Sequence, residues 1–269
     1  MKVIVTGGNS GVGAATAATL AAAGHSVVIA CRTIPKAEQA VTSMAGDVEI
    51  AHLDLADLAS VRKFADSIDG VEVLINNAGV MGLPLMRTAD GFEAHIGTNY
   101  LGHFALTCLL ADRIKDRIIS VVSSAYALSR LHIDDLQWHH RKYSKWSAYG
   151  ESKLAVMLFN HELTCRGVRT YMTDPGATNT DISRDATGMV PWIRDHTFRG
   201  FPAHSAATGA RSTIQAVTTD LPSGSYLAPR FNQWGKPKVT TPRAKARDAA
   251  MARRLWDVSV ELTGCDWPV

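Results

Sequence analysis

The chain has 269 residues, 46% of them hydrophobic and 20% charged, with a formal net charge of +3. That length suits one large α/β domain with a substantial core, and the composition is that of a globular protein rather than a disordered or membrane-spanning one. The slight charge excludes a strongly basic nucleic-acid binder: the late cations Arg243, Lys245, Arg247, Arg253 and Arg254 alternate with Ala and Asp248, as on a solvated helix face.

Cys31, Cys108, Cys165 and Cys265 lie scattered, without metal-ligand spacing. Their distribution predicts reduced thiols, no metal site and a cytoplasmic location. Lys2 leads straight into an apolar run, so no signal peptide or membrane anchor is expected ahead of the first strand. The alanine-rich run 14–23 is too short to cross a bilayer.

Lys2–Val5 reads as a strand that stops at a glycine-rich turn containing Gly7, Asn9, Ser10, Gly11, Val12 and Gly13. A helix follows from about Gly13 to Ala23. Strand, glycine turn and helix together favour a nucleotide site, because backbone N–H groups and a helix N-terminus can meet a pyrophosphate. A second strand, Ser26–Ala30, ends at Cys31-Arg32. An acid at such a strand end would suit a ribose 2′-hydroxyl, whereas Arg32 suits a 2′-phosphate. NADP(H) is therefore the expected cofactor, with NAD(H) still usable.

The pattern repeats with a helix over 35–44, a strand over 48–53 that runs into Asp54 and Leu55, and a helix over 57–68. The strand Val71–Ile75 runs into Asn76, Asn77, Ala78 and Gly79. Strands alternating with helices predict a doubly wound parallel sheet with helices on both faces, its ligand beyond the strand ends. A long helix over 91–113 carries Asn99, and a strand over 117–122 ends in Ser123-Ser124. Residues 125–147, including His139 and His140, read as a surface loop with no metal-ligand set.

A helix from Tyr149 to about Cys165 places Tyr149 and Lys153 four residues apart, on one face. The ammonium is expected to lower the phenol's pKa toward the range useful for proton transfer. The strand Val168–Met172 leads to Asp174, Pro175, Gly176, Thr178 and Thr180. Residues 181–204 then read as a long irregular loop, followed by a helix over 205–217, a short strand near Tyr226 and a terminal helix over 244–262. There is no linker or repeat, which predicts a single domain over 1–269.

Taken together, the Thr6–Gly13 turn, Asp54, Asn76–Gly79, Asn99, Ser124, Tyr149/Lys153 and Pro175-Gly176 with Thr180 resemble a short-chain dehydrogenase/reductase over nearly the whole chain. Ala30-Cys31-Arg32, Leu101–Phe104 and Ser152–Ala155 resemble its retinol-dehydrogenase-like and protochlorophyllide-reductase-like branch, which favours NADP. The resemblance implies a Rossmann-type fold and a tetrad of Asn99, Ser124, Tyr149 and Lys153. Tyr149 would exchange a proton with a carbonyl or alcohol, and Lys153 would serve Tyr149 and the nicotinamide ribose. Ser124, rather than Ser123, would hold the substrate oxygen, and Asn99 would anchor a water. Asp174, where relatives often have His, is a departure. Relatives form dimers and tetramers, so the resemblance allows a homo-oligomer.

The expected activity is NADP-dependent hydride transfer to or from a small, apolar carbonyl compound or alcohol. The alternative is a non-catalytic dinucleotide-binding regulator on the same fold; retention of all four tetrad residues favours the enzyme. Residues 181–204, with Trp192, Phe198 and Phe201, are expected to form a substrate lid.

Overall fold

A computed structural model describes residues 1–178, 204–231 and 234–268. Its strands are β1 (Lys2–Thr6), β2 (Ser26–Cys31), β3 (Val48–His52), β4 (Val71–Asn76), β5 (Ile114–Val121), β6 (Thr170–Thr173), β7 (Ser225–Pro229) and β8 (Pro237–Thr240). They form one sheet in the order β3-β2-β1-β4-β5-β6-β7-β8, parallel throughout except for β8, which runs antiparallel to β7. The chain leaves β1 toward β2 on one side and reaches β4 on the other. This switch of direction opens a crevice at the carboxyl ends of β1 and β4.

The described helices are α1 (Gly11–Ala22), α2 (Ile34–Val41), α3 (Leu58–Asp66), α4 (Gly102–Leu109), α5 (Lys145–Cys165), α6 (Ala206–Thr218) and α7 (Ala249–Thr263). Alternation along each strand feeds two cores, as the pleat requires. Val3 and Val5 of β1 join Leu20 of α1, Ala37 of α2 and Val217 of α6. Ile4 faces the other way, toward the core of Phe64 from α3, Phe104 from α4, Leu158 from α5 and Trp256 from α7. The sheet is thus apolar on both faces, which is why its strands read as continuous Val/Ile/Leu runs.

Four features differ from the sequence-based expectations. The single helix expected over 91–113 is broken: a β-bridge joins Arg87 to Glu93, a π-helical turn spans Ile96–Leu101, and only then does α4 begin. Gly102 lies at this junction, where a Cβ would sit 2.3 Å from the Leu55 carbonyl oxygen. β8 is an additional strand, invisible as a pattern because its residues are polar and largely exposed. The terminal helix divides, with a 3-10 turn at Ala244–Arg247 and Asp248 capping α7 through Met251 N–H.

The fourth difference is the region 125–147, which is not a plain surface loop. Leu131, Ile133, Leu136 and Trp138 are buried, and 3-10 turns occupy Ser124–Leu128 and Ile133–Asp135. Arg141 stacks over the Trp138 ring at 3.8 Å and pairs with Asp135 at 3.0 Å and with Glu151 of α5 at 2.9 Å. Trp138 adopts φ 56°, a left-handed conformation that costs a non-glycine residue about 1–3 kcal/mol. Burial and the guanidinium stack hold it there. His139 and His140 remain exposed, as expected.

Candidate active site

A cleft of about 650 Å³ runs along the carboxyl ends of β1, β2, β4, β5 and β6. Gly7, Asn9, Ser10, Gly11, Val12 and Gly13 line its centre. A Cβ on Gly13 would meet the Gly7 carbonyl oxygen at 2.4 Å, so the turn closes on itself only with glycine there. Ser10 stands at the N-cap of α1 without a side-chain cap bond. The first N–H groups of that helix therefore remain available to an anion in the cleft.

At one end stand Arg32, Asp54 and Leu55, joined by Thr33 and Lys36. Lys36 escaped the sequence reading because it lies inside α2 rather than at the strand end. The β2 end holds two cations and no acid. Asp54 Oδ1 accepts from Ala56 N–H at 2.9 Å, which shapes the turn after β3.

Tyr149, Lys153, Pro175, Gly176 and Thr178 meet at the other end, together with Ser123. Burial pushes the Tyr149 phenol up to about 12; a hydrogen bond with the Ser123 side chain opposes that rise and the Asp174 carboxylate adds to it. Burial also lowers Lys153 to about 8, against the charge of Asp174. Lys153 Nζ donates to the Val121 carbonyl at 3.0 Å and lies 5.9 Å from the Tyr149 ring centre. The Tyr149 pKa is thus raised rather than lowered in this geometry, because burial outweighs the Ser123 hydrogen bond.

Both serines of the pair after β5 reach the catalytic region. Ser123 carries the side chain bonded to Tyr149 and lines both the cleft and an adjoining cavity, whereas Ser124 lines that adjoining cavity. Ser124 opens the following 3-10 turn and gives its backbone N–H to Asp174. Asp174 is buried and also accepts from Gly176 N–H at 2.8 Å and Tyr226 Oη at 3.1 Å.

Asn99 stands behind this cluster, outside the cleft lining. Its Oδ1 accepts from Val80 N–H at 2.7 Å, and its Nδ2 donates to the Val80 carbonyl and to Ser152 Oγ. The amide is therefore fully used in positioning. Behind it, Thr6 Oγ1 accepts the N–H groups of Asn77 and Ala78, and its one proton has two acceptors in reach, His103 Nε2 at 2.9 Å and the Ile75 carbonyl at 3.3 Å. His103 Nδ1–H then donates to the Asn99 carbonyl at 3.0 Å. Asn76 is not a cleft residue either: as the last residue of β4 it points inward, and its Nδ2 donates to Thr107 Oγ1.

A second cavity, about 850 Å³, shares Met81, Ser123 and Tyr149 with the first. Tyr126, Trp146 and Tyr226 supply most of its aromatic wall. The segment carrying Met81 is fixed at Val80 by Asn99 and at Leu83 by a second device. Leu83 N–H donates to His95 Nε2 at 3.3 Å, and Tyr143 Oη shares its one proton between the Leu83 carbonyl at 3.1 Å and Glu93 Oε1 at 3.0 Å. Glu93 binds both His95 and Tyr143, and the His95 ring meets Tyr149 edge-on at 6.3 Å. None of these three residues has a motif signature. Thr180, Trp192, Phe198 and Phe201 lie outside the described residues.

A hydroxyl, a phenol and an ammonium at the junction of a long cleft and a second cavity can exchange a proton with a group held between them. The family model described as short chain dehydrogenase matches residues 1–190. Human retinol dehydrogenase 13 is 40% identical, over 99% of this chain and 85% of that protein. Human polyprenol dehydrogenase is 36% identical, over 97% of this chain and 84% of that protein. A crystal structure of a Mycobacterium Paratuberculosis protein is 43% identical, with a TM-score of 0.87 over 100% of this chain and 95% of that one. A Burkholderia cenocepacia short chain dehydrogenase in complex with NADP shares the fold, with 24% identity and a TM-score of 0.64 over 84% of this chain and 94% of that one.

Proposed function

Because the chain belongs to the short chain dehydrogenase family, in its retinol-dehydrogenase-like branch, we propose that it is an NADP-dependent oxidoreductase of a bulky, apolar carbonyl compound or alcohol. Oxidoreductase activity and a nicotinamide dinucleotide come with the family. The residues fit that cofactor: the uncapped α1 N-terminus suits a pyrophosphate, and the glycine turn leaves room for it. NADP preference is supported by Arg32 and Lys36, which follow β2 where an acid would suit a free 2′-hydroxyl; the acid at that end of the cleft, Asp54, follows β3 instead.

The observation that carries the catalytic reading is the Tyr149–Ser123 hydrogen bond at the junction of the two cavities. The nicotinamide, when bound, supplies or takes the hydride. Ser123 would orient the substrate oxygen, and Tyr149 would give it a proton during reduction or take one during oxidation. Lys153, positive below about 8, would favour the phenolate that reduction leaves behind. Asn99 would anchor a water through its main-chain carbonyl, and that water would resupply protons, since its amide is engaged by Val80 and Ser152. A bulky, apolar substrate is supported by the second cavity, with its Met81, Tyr126, Trp146 and Tyr226 lining.

The test is an initial-rate survey of NADPH oxidation across aromatic, terpenoid and fatty aldehydes and ketones, with the matching alcohols tried against NADP⁺. Turnover abolished in Tyr149→Phe supports the reading. Strong dinucleotide binding with no turnover of any compound would favour a non-catalytic role.

A further inference from the structure

Residues 221–247 hold Arg230, Lys236, Lys238, Arg243, Lys245 and Arg247, and not one Asp or Glu. The described part of this stretch comprises β7, β8 and the 3-10 turn after them, and it forms one wall of the second cavity through Tyr226, Ala228, Arg230, Thr240 and Arg243. Arg230 and Arg243 are both exposed at that wall. Among the described residues, none of the six cations meets a carboxylate. Their partners are main-chain oxygens: Arg243 and Lys245 donate to the Ala127 carbonyl, Lys245 also to Ser129, and Arg247 to Pro242. A carbonyl satisfies a donor but does not cancel its charge.

No acidic residue lines this cavity among the described residues. Like charges around an opening with low-dielectric walls add their fields and draw anions toward it. The inner end is different in character, with Met81, Tyr126, Trp146 and Tyr226 beside the Ser123–Tyr149 pair. One molecule filling such a space would have its reacting oxygen at the apolar end and negative charge at the mouth.

We propose that the substrate is a bulky carbonyl compound, or its alcohol, bearing an anionic group far from the reacting oxygen, and that Arg230 and Arg243 bind that group. The proposal rests on the oxidoreductase reading above and narrows it. Each guanidinium offers a planar fork matched to a carboxylate or phosphate, so a partner fixed at the mouth also sets how deeply the carbonyl reaches.

The experiment uses the full chain with NADPH and two probes of equal chain length, nonanal and azelaic semialdehyde. They differ by one terminal carboxylate. The expected kcat/KM for the semialdehyde exceeds that for nonanal by about tenfold at low salt, and the ratio shrinks as KCl is raised. Arg230→Gln and Arg243→Gln each lower that ratio by about fivefold or more, chiefly through KM, while Arg243→Lys retains part of it. Melting curves identify any variant that has lost its fold, and the salt dependence of the unmutated chain then decides alone.

Turnover of both probes with a ratio near unity, indifferent to salt, overturns the anionic substrate and leaves the oxidoreductase reading standing. No turnover of either probe, or of any neutral compound, defeats both. Binding of the chain to phosphatidylglycerol vesicles, lost in Arg230→Gln while the probe ratio stays fixed, would give the cations to a lipid surface and likewise overturn the proposal.

Discussion

Glu93 Oε1 and His95 Nδ1 lie 2.8 Å apart, with both side chains wholly excluded from solvent. Leu83 N–H points at His95 Nε2, so the imidazole proton sits on Nδ1 and faces the carboxylate. Burial pushes the Glu93 carboxyl up, but His95 and the Ile96 N–H outweigh it and hold it below the ordinary value. Removing one partner strands the other in a dry site. Glu93→Ala should cost about 3 kcal/mol or more, and Tyr143→Phe about 1 kcal/mol, measured by urea unfolding. A Glu93→Ala variant as stable as the unmutated protein would mean that this cluster bears no weight.

Tyr149→Phe should reduce kcat by roughly 10²–10⁴-fold while dinucleotide affinity survives, because only the proton is removed. Calorimetry with NADP⁺ alongside steady-state kinetics separates the two quantities. Near-normal turnover would remove Tyr149 from the chemistry.

The two serines separate by substitution. Ser123→Ala should lower kcat at least about tenfold, since it takes a hydrogen bond from the phenol and a partner from the substrate oxygen. Ser124→Ala should cost less, because it keeps the backbone N–H to Asp174 and the phenol's partner and removes only a hydroxyl lining the second cavity. The opposite ranking would restore the sequence-based assignment.

Arg32→Ala and Lys36→Ala should each weaken NADP(H) binding by about tenfold or more, with little effect on NAD(H), as expected for charge-assisted contacts to a 2′-phosphate. Titrating both cofactors against each variant gives the comparison. Equal losses for the two cofactors would place these cations elsewhere.

Lys153 loses its charge as pH rises through about 8, so the reductive rate should fall on that limb. Asp174 favours the charged form. In Asp174→Asn the limb should therefore move to lower pH. A profile unchanged by that substitution would separate Asp174 from the proton-handling group.

His103 supplies a stability test. Burial lowers its pKa to about 4, from an ordinary 6.5. Between those values the unfolded chain takes up a proton that the folded one refuses, so stability drops as pH falls from 6.5 toward 4, by up to about 3 kcal/mol. Urea midpoints across that range should show a larger drop in the unmutated chain than in His103→Gln, whose remaining drop belongs to carboxylates such as Glu93.

Residues that must stand at strand ends, and the Tyr–Lys pair on α5, were legible in the chain itself. The glycine turn, Arg32, Asn77–Gly79, Tyr149 and Lys153 are required by backbone approach or by charge, and the structure brings them to one cleft. Positions set by a single step of register were not: Ser123 and Ser124 are chemically identical, and Asn76 differs from Asn77 only in which side of the sheet it faces. Arg141 and Tyr143 looked like loop residues because Glu151 and Glu93, which bury them, belong to other elements. The Tyr149 pKa was misjudged because the pairing with Lys153 is visible in sequence, whereas the depth at which both sit is not.

The π-helical turn at Ile96–Leu101 has a consequence for loop and helix engineering. It works as a phase shifter: one additional residue per turn offsets everything downstream by about 100° relative to a regular helix. Deleting one residue there would repair the helix locally, and by helix propensity alone would look harmless. It would also swing Gly102 away from the Leu55 carbonyl and turn a neighbouring side chain into the space where even a Cβ meets oxygen at 2.3 Å. Leu55 lines the Arg32 end of the cleft, and Asn99 lies in the turn itself, behind Tyr149 and Lys153. Both ends of the cleft are therefore timed by the same irregular turn, and a length change within it should damage both at once, though it touches no residue that meets a ligand.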